Sequence, residues 1–326
     1  MDSVSVIVPV MDEQETVATL ARRVQEVFST ALDGSAELRE IVFVDDGSKD
    51  ATWQRISEIS GPVVRGLRLR RNFGKAAALQ AGILASSGNL IITMDGDLQD
   101  DPNEIPRFLE QIRSGFDVVS GWKRTRHDPL GKTLPSKLFN LVTARVSGVN
   151  IHDFNCGFKA YRREVFDNVN LYGELHRFIP ALAAASGFSV TEIEVLHHPR
   201  RFGRSKYGVG RLIKGFIDLL TVVTITRYNS RPGHLFGTLG VAIAGLGLLA
   251  NIYLAIAWLM GQPIGQRPLL SLAVLLTIVG LQFILFGMMS ELIVSRGGGR
   301  HRDRRIVAEH TGAQPTTQAP KQTQPA

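Results

Sequence analysis

Two long runs without a charged side chain, residues 235–260 (LFGTLGVAIAGLGLLANIYLAIAWLM) and 269–290 (LLSLAVLLTIVGLQFILFGMMS), limit what this chain can fold into. A helix needs roughly 20 predominantly apolar residues to cross a hydrocarbon core, and both runs reach that length. The alternative is a pair of buried core helices, and two such runs side by side argue against it. The link between them, Gly261 to Pro268, is short and rich in helix breakers, and it reads as a tight turn between antiparallel spans. Its one charge is Arg267, whereas Arg227 and Arg231 precede the first run and Arg296, Arg300, Arg302, Arg304 and Arg305 follow the second. Cytoplasmic flanks carry the excess of Lys and Arg, so both flanks and the large N-terminal region are expected in the cytoplasm, on a prokaryotic cell membrane.

The remaining composition excludes several classes. Lys plus Arg is 37 against 30 for Asp plus Glu, and apolar residues are 44%, too many for a wholly disordered chain. Cys156 is the single cysteine, so no internal disulfide framework can form. Aromatics are 7%, thin for a surface that stacks nucleic-acid bases, and no nucleic-acid partner is expected. The opening MDSVSVIVPV has no basic flank and reads as an extended strand rather than a signal peptide. From about Thr311 the chain is Gln, Thr, Pro and Ala without apolar periodicity, the pattern of a disordered tail.

Between these limits, strand and helix patterns alternate. Residues 3–10, 41–44, 64–69 and 90–94 are short β-branched runs, with 117–120 weaker. In 16–32, Val17, Leu20, Val24, Val27, Phe28 and Ala31 recur at helical steps. Residues 74–86 are rich in Ala and Leu, and 102–114 open on Pro102 after two aspartates, a helix-start signal. Strands alternating with helices predict a mostly parallel sheet covered on both faces.

Such sheets bind ligands beyond the carboxyl ends of their strands. There the sequence places Asp12-Glu13, then Asp45-Asp46-Gly47-Ser48, then Asp95-Gly96-Asp97. Asp-x-Asp can offer two hard oxygen ligands to Mg2+ or Mn2+, which take one or two carboxylates and fill the remaining positions with water and phosphate oxygens. Each cluster alone is equally a plain turn. Three of them, each directly after an apolar strand, point to a site.

These residues also carry a family resemblance. Val8-Pro9-Val10-Met11-Asp12-Glu13, Val44 to Asp50, Arg71-Asn72-Phe73-Gly74-Lys75 and Met94-Asp95-Gly96-Asp97-Leu98-Gln99 resemble glycosyltransferase family 2, in particular its polyprenyl-phosphate glycosyltransferases of the dolichyl-phosphate mannose synthase type. The resemblance covers about residues 3–230. One departure is Asp12, where the family usually has Asn. The resemblance implies an A-type glycosyltransferase fold and a nucleotide-diphospho-sugar donor, GDP-mannose or UDP-glucose. It places Pro9, Asp12, Glu13, Asp46 and Lys75 at the nucleotide-sugar, Asp95 and Asp97 on the metal, and Gln99 near the sugar or the metal.

On the acceptor side the chain turns basic. The resemblance puts Lys123 on the phosphate of a lipid acceptor, with Arg126 and Lys137 as further contacts and Ser136 as an alternative to Lys137. It sets Asp153 near the reacting carbon. His152 is either a base or structural. The stretch Pro199 to Gly208 resembles the family's mobile loop, in which Arg201, Arg204 and Lys206 fold over the diphosphate. In 209–226, Val209, Leu212, Ile213, Phe216, Ile217 and Leu220 share one face and Arg211, Lys214 and Asp218 another, the pattern of an interfacial helix; 133–149 is a weaker version.

The expected organisation is a catalytic domain over 1–207, an interfacial helix and linker over 208–232, a membrane hairpin over 233–295 and a basic, then disordered, tail over 296–326. The expected reaction is an inverting hexose transfer from the nucleotide donor to polyprenyl (dolichyl or undecaprenyl) phosphate. Gly240 and Ala244, four apart, suggest close approach of spans from different subunits in a homo-oligomer. The rivals are a processive polysaccharide synthase, which usually carries Gln-x-x-Arg-Trp and more spans, and an inactive membrane-tethered nucleotide-sugar binding protein.

Overall fold

The computed structural model describes residues 1–124, 140, 143–145, 147–169, 171, 173, 175–198, 232–265 and 267–297. The chain runs β1 (Asp2–Val10), α1 (Val17–Thr30), β2 (Ala36–Asp45), α2 (Thr52–Ile59), β3 (Val64–Arg68), α3 (Lys75–Ala85), β4 (Leu90–Thr93), α4 (Ile105–Arg113), β5 (Val118–Trp122), β6 (Lys159–Arg162), α5 (Val165–Asn168), α6 (Ile179–Ala185) and β7 (Val190–Glu194). Two long helices follow, α7 (Pro232–Leu259) and α8 (Pro268–Gly297). The strands form one seven-stranded sheet in the order β3-β2-β1-β4-β6-β5-β7. β6 alone runs antiparallel, against both β4 and β5.

The unbroken apolar runs in the strands follow from burial on both faces. In β1, Val4, Val6, Val8 and Val10 join Val17, Leu20, Val24 and Phe28 of α1 in one core. Ile7 joins Ala78, Leu79 and Ile83 of α3 in the other. α3 packs close: a Cβ on Gly82 would lie 2.5 Å from Ile7. The predicted stripe on α1 is buried except for Ala31, which falls just past the helix end and is exposed. Asp101 starts the predicted helix at 102–114, its carboxylate accepting from Asn103 N at 3.0 Å, and the first three residues form a 3-10 turn before α4.

α7 and α8 are long and apolar enough to cross a membrane over Gly233–Leu259 and Pro268–Ile293. Only 17% and 11% of their most apolar windows is buried, which separates them from core helices. With the relatives described below, they make this a membrane protein. Small residues set their packing. A Cβ on Gly240 would lie 2.7 Å from Gly280 O, and one on Gly280 would collide with the backbone of Ala244. The Gly240–Ala244 face is therefore turned toward α8 of the same hairpin. Between the helices, Asn251 Nδ2 donates to Thr277 Oγ1 at 3.1 Å. The expected interfacial helix at 209–226 and the tail from Gly298 lie outside the described residues, as does most of 133–149.

Candidate active site

Because β1, β2 and β4 run in parallel, their carboxyl ends share one edge. β5 ends there too, and β6 begins there, with Lys159 paired in register to Thr93 and to Ser120. The three acidic clusters are thus gathered at one edge. Asp45-Asp46-Gly47-Ser48 is no hairpin, since β2 and β3 pair in parallel with α2 between them.

At the β1–β2 end the loops brace each other. Asp12 N donates to Ser48 Oγ at 2.9 Å, Lys49 N to the Asp12 carboxylate at 2.9 Å, and Glu13 N to Thr52 Oγ1 at 2.8 Å. Asp12 has φ +52°, a region that Asn and Asp enter more readily than other residues bearing a Cβ. The Asp-for-Asn departure keeps that property. Pro9 stands in β1, opposite Val44. Asp46 turns into the chain: its carboxylate accepts from Phe73 N at 2.7 Å and Gly74 N at 2.9 Å, fixing the entry to α3. Next to it an open cavity of about 680 Å3 is lined by Met11, Ser48, Lys49, Arg68, Arg71 and Asn72, among others. Arg68 belongs to none of the sequence motifs.

At the β4 end, Lys75, the first residue of α3, forms an ion pair with the Asp95 carboxylate. Burial alone would raise the pKa of Asp95, but the charges of Lys75 and Lys123 outweigh it and hold the carboxyl well below its usual range. Gly157 sits against that carboxylate, since a Cβ there would lie 2.7 Å from both oxygens. Asp97 is buried, and its carboxylate accepts from Gln99 N at 3.2 Å. Gln99 Nε2 faces His197 Nε2 at 3.4 Å and the His198 carbonyl at 3.3 Å.

Lys123 is found on Asp100, 2.7 Å from its carboxylate. Burial disfavours its charge, but Asp100 and then Asp95 raise its pKa above the ordinary lysine value. Asp153 is buried, its carboxylate accepting from Asn155 N at 3.1 Å. Lys159 Nζ donates to the Phe154 carbonyl at 3.2 Å and to that of Cys156, fixing the loop that carries Gly157. Burial pushes the Cys156 thiol up to about 12, so it stays protonated. His152 is exposed, paired with Glu192 and stacked on Trp122 at 4.3 Å, a structural arrangement. His176 was not singled out by sequence. Burial, then the cations Lys75, Arg177 and Lys159, hold its pKa well below the ordinary value, and its Nδ1 is buried without a hydrogen-bond partner among the described residues. Arg126, Ser136, Lys137, Arg201, Arg204 and Lys206 lie outside the described residues.

The donor set at Asp95 and Asp97 suits a hard divalent cation. Asp95 is ionised, and its side chain is 31% exposed. Among the described residues no group of three or more His, Cys, Asp or Glu could hold a metal by itself. A hard divalent cation of this kind takes one or two carboxylates and completes its shell from water and phosphate.

A mostly parallel sheet covered on both faces, with acidic turns and buried cations along the carboxyl edge, is the architecture of an A-type glycosyltransferase. Residues 5–169 match glycosyl transferase family 2, and the chain belongs to that family. It is a glycosyltransferase. Among its relatives is the dodecaprenyl-phosphate galacturonate synthase of Rhizobium johnstonii, 39% identical over 89% of this chain and 87% of that one. Another is the undecaprenyl-phosphate 4-deoxy-4-formamido-L-arabinose transferase of Pseudomonas fluorescens, 37% identical over 97% and 92%. The fold is similar to that of glucosyl-3-phosphoglycerate synthase from Mycobacterium tuberculosis, solved with Mn2+ and uridine-diphosphate-glucose, at TM-score 0.52 and 19% identity over 68% of this chain and 79% of that one.

Proposed function

We propose that this protein transfers a sugar, with inversion, from a nucleotide-diphospho-sugar to polyprenyl phosphate at the cytoplasmic face of a membrane. One observation carries the reading: the Asp95-Gly96-Asp97 turn and its cations lie at the sheet edge of a chain that also carries two exposed apolar helices of spanning length. The acceptor class is supported by the relatives, both named for polyprenyl-phosphate chemistry.

Asp12, Glu13 and Pro9 border the nucleotide, and Asp46 acts by holding the Phe73–Gly74 segment beside it. Asp95 and Asp97 would hold Mg2+ or Mn2+, which would supply charge stabilisation to the departing nucleoside diphosphate. Gln99 and Asp153 face the sugar. Arg126 and Lys137 or Ser136 receive the lipid phosphate, and Arg201, Arg204 and Lys206 cover the diphosphate. A phosphate monoester has its second pKa near ~6 and is largely ionised at neutral pH. Its oxygen attacks the anomeric carbon from the face opposite the leaving group. The new O–C bond forms as the C–O bond to the diphosphate breaks, and no side chain has to remove a proton. The product is a polyprenyl-phospho-sugar.

The relatives bear on the choice of donor. GDP-mannose and UDP-glucose are the sequence-based expectations, and the relatives' names favour galacturonate or 4-deoxy-4-formamido-L-arabinose. Membranes incubated with polyprenyl phosphate and each of the four labelled donors provide the test. Label in a mild-acid-labile lipid supports the reading. Label only in polymer, or donor binding without turnover, contradicts it.

A further inference from the structure

His176 stands outside every sequence motif, in the 3-10 turn Leu175–Phe178 that leads into α6. Residues three apart eclipse each other in such a turn, and here both, Leu175 and Phe178, are buried in the core shared with Ala78 and Leu79 of α3. His176 and Arg177 are therefore turned aside from that anchor. Just ahead of the turn, Leu171 N donates to Gln80 Oε1 at 3.0 Å, which holds the approach against the same helix. The first residue of α3 is Lys75, on Asp95, and the His176 ring feels the charges of both.

The Nδ1 of His176 is wholly buried and has no hydrogen-bond partner among the described residues, while the residue as a whole is half-buried, so its exposed part lies away from Nδ1. Native proteins pair nearly all their buried polar atoms, and an exception calls for a use. Burial first, then the charges of Lys75, Arg177 and Lys159, keep the ring neutral. A neutral imidazole carries one proton. Orphaned buried N–H groups are rarer than orphaned acceptors, which assigns that proton to Nε2 and leaves the lone pair on Nδ1. Nε2 is then a neutral donor. A phosphate is matched by the cations already beside it, whereas a neutral donor suits an uncharged oxygen. With the diphosphate on the Asp95–Asp97 turn, the nearest uncharged oxygens are the hydroxyls of the sugar to be transferred. We propose that His176 is a specificity-determining residue whose Nε2 donates to a hydroxyl oxygen of the donor sugar. The inference rests on the donor reading above and deepens it, assigning His176 to the sugar rather than to the nucleotide, the metal or the acceptor.

The test uses the full chain purified in detergent, with Mn2+ present. Equilibrium binding is measured for the donor that the wild type turns over and, separately, for its nucleoside diphosphate alone (UDP or GDP). The acceptor KM and the thermal midpoint are measured beside them. His176→Phe fills similar space without a polar atom, so the midpoint should stay level or rise. Donor affinity should fall about 3–10-fold, the usual contribution of one neutral hydrogen bond, with nucleoside diphosphate affinity and acceptor KM unchanged. His176→Ala cannot clash and carries the same comparison where the Phe variant fails to fold. Wild-type donor affinity in these variants, an equal loss for the nucleoside diphosphate alone, or a raised acceptor KM with donor affinity intact would overturn the proposal. Failure of the donor reading itself is distinct: the wild type would then turn over none of the four donors.

Discussion

The ammonium of Lys75 rests on the carboxylate of Asp95, joining the first turn of α3 to the turn after β4. Because Asp46 fixes the backbone at Phe73 and Gly74, the place of Lys75 is set by the β2 turn as well. The ends of β2 and β4 are thereby coupled through the start of α3.

Replacing Lys75 by Met leaves the burial of Asp95 less opposed, so its pKa rises. Asp95 is depressed in the folded protein. The benefit of its ionised form is therefore full above the usual carboxylate range and lost as pH falls through the depressed value. In Lys75→Met the acid limb of kcat/KM should move to higher pH, with activity at neutral pH down about 10–100-fold. An unmoved limb would show that Lys75 does not govern Asp95.

Gly157→Ala separates function from stability. The added Cβ meets the flexible end of Asp95, at 2.7 Å, rather than backbone. The carboxylate can swing away at little cost in folding but not without leaving its place. The thermal midpoint should hardly change while transfer falls at least about tenfold. Gly82→Ala should do the reverse on folding, because its Cβ would strike Ile7 and Val44 in the core.

Glu40 tests a charge that serves only the fold. Its buried carboxylate accepts from Ser5 Oγ at 3.0 Å, Ser87 N at 2.6 Å and Arg65 at 2.5 Å. Burial would raise its pKa, but these donors together lower it. Glu40→Gln should cost about 2 kcal/mol in chemical denaturation at neutral pH. The gap to wild type should close as pH falls through the depressed value, and a constant gap would assign the loss to packing instead.

The parallel half of the sheet was legible in the sequence because β1, β2 and β4 are buried on both faces and read as apolar runs. β6 was not. It is four residues, KAYR, and opens on Lys159, a cation that the fold buries by pairing it with loop carbonyls. β7, VTEIE, lies at the sheet edge and is only partly buried, so its alternation is weak. α2 buries only Thr52 and Ile56, too few to mark a face. In the site, the carboxylates were legible from their place after the strands. His176 and His197 were not, since nothing in their residue type separates them from surface polar residues, and Asp100 was visible only as one of the two aspartates of a helix-start signal; all three meet the site through tertiary packing. Two adjacent histidines ahead of the basic loop were the one available signal.

The hairpin makes its own prediction. A side chain at Gly280 would meet the backbone of Ala244, which cannot yield without parting the helices. Gly280→Leu should lower the melting temperature of the hairpin in detergent, while Asn251→Leu, which removes one interhelical hydrogen bond, should cost only about 0.6–2 kcal/mol. A Gly280→Leu hairpin as stable as wild type would refute this packing.

The most direct measurement is transfer of labelled sugar to polyprenyl phosphate by the purified full chain with Mn2+ or Mg2+, wild type beside Asp97→Ala. The account predicts a mild-acid-labile lipid product from the wild type and none above background from the variant. A wild type that labels no lipid with any of the four donors, or an Asp97→Ala protein that labels it at the wild-type rate, would contradict it.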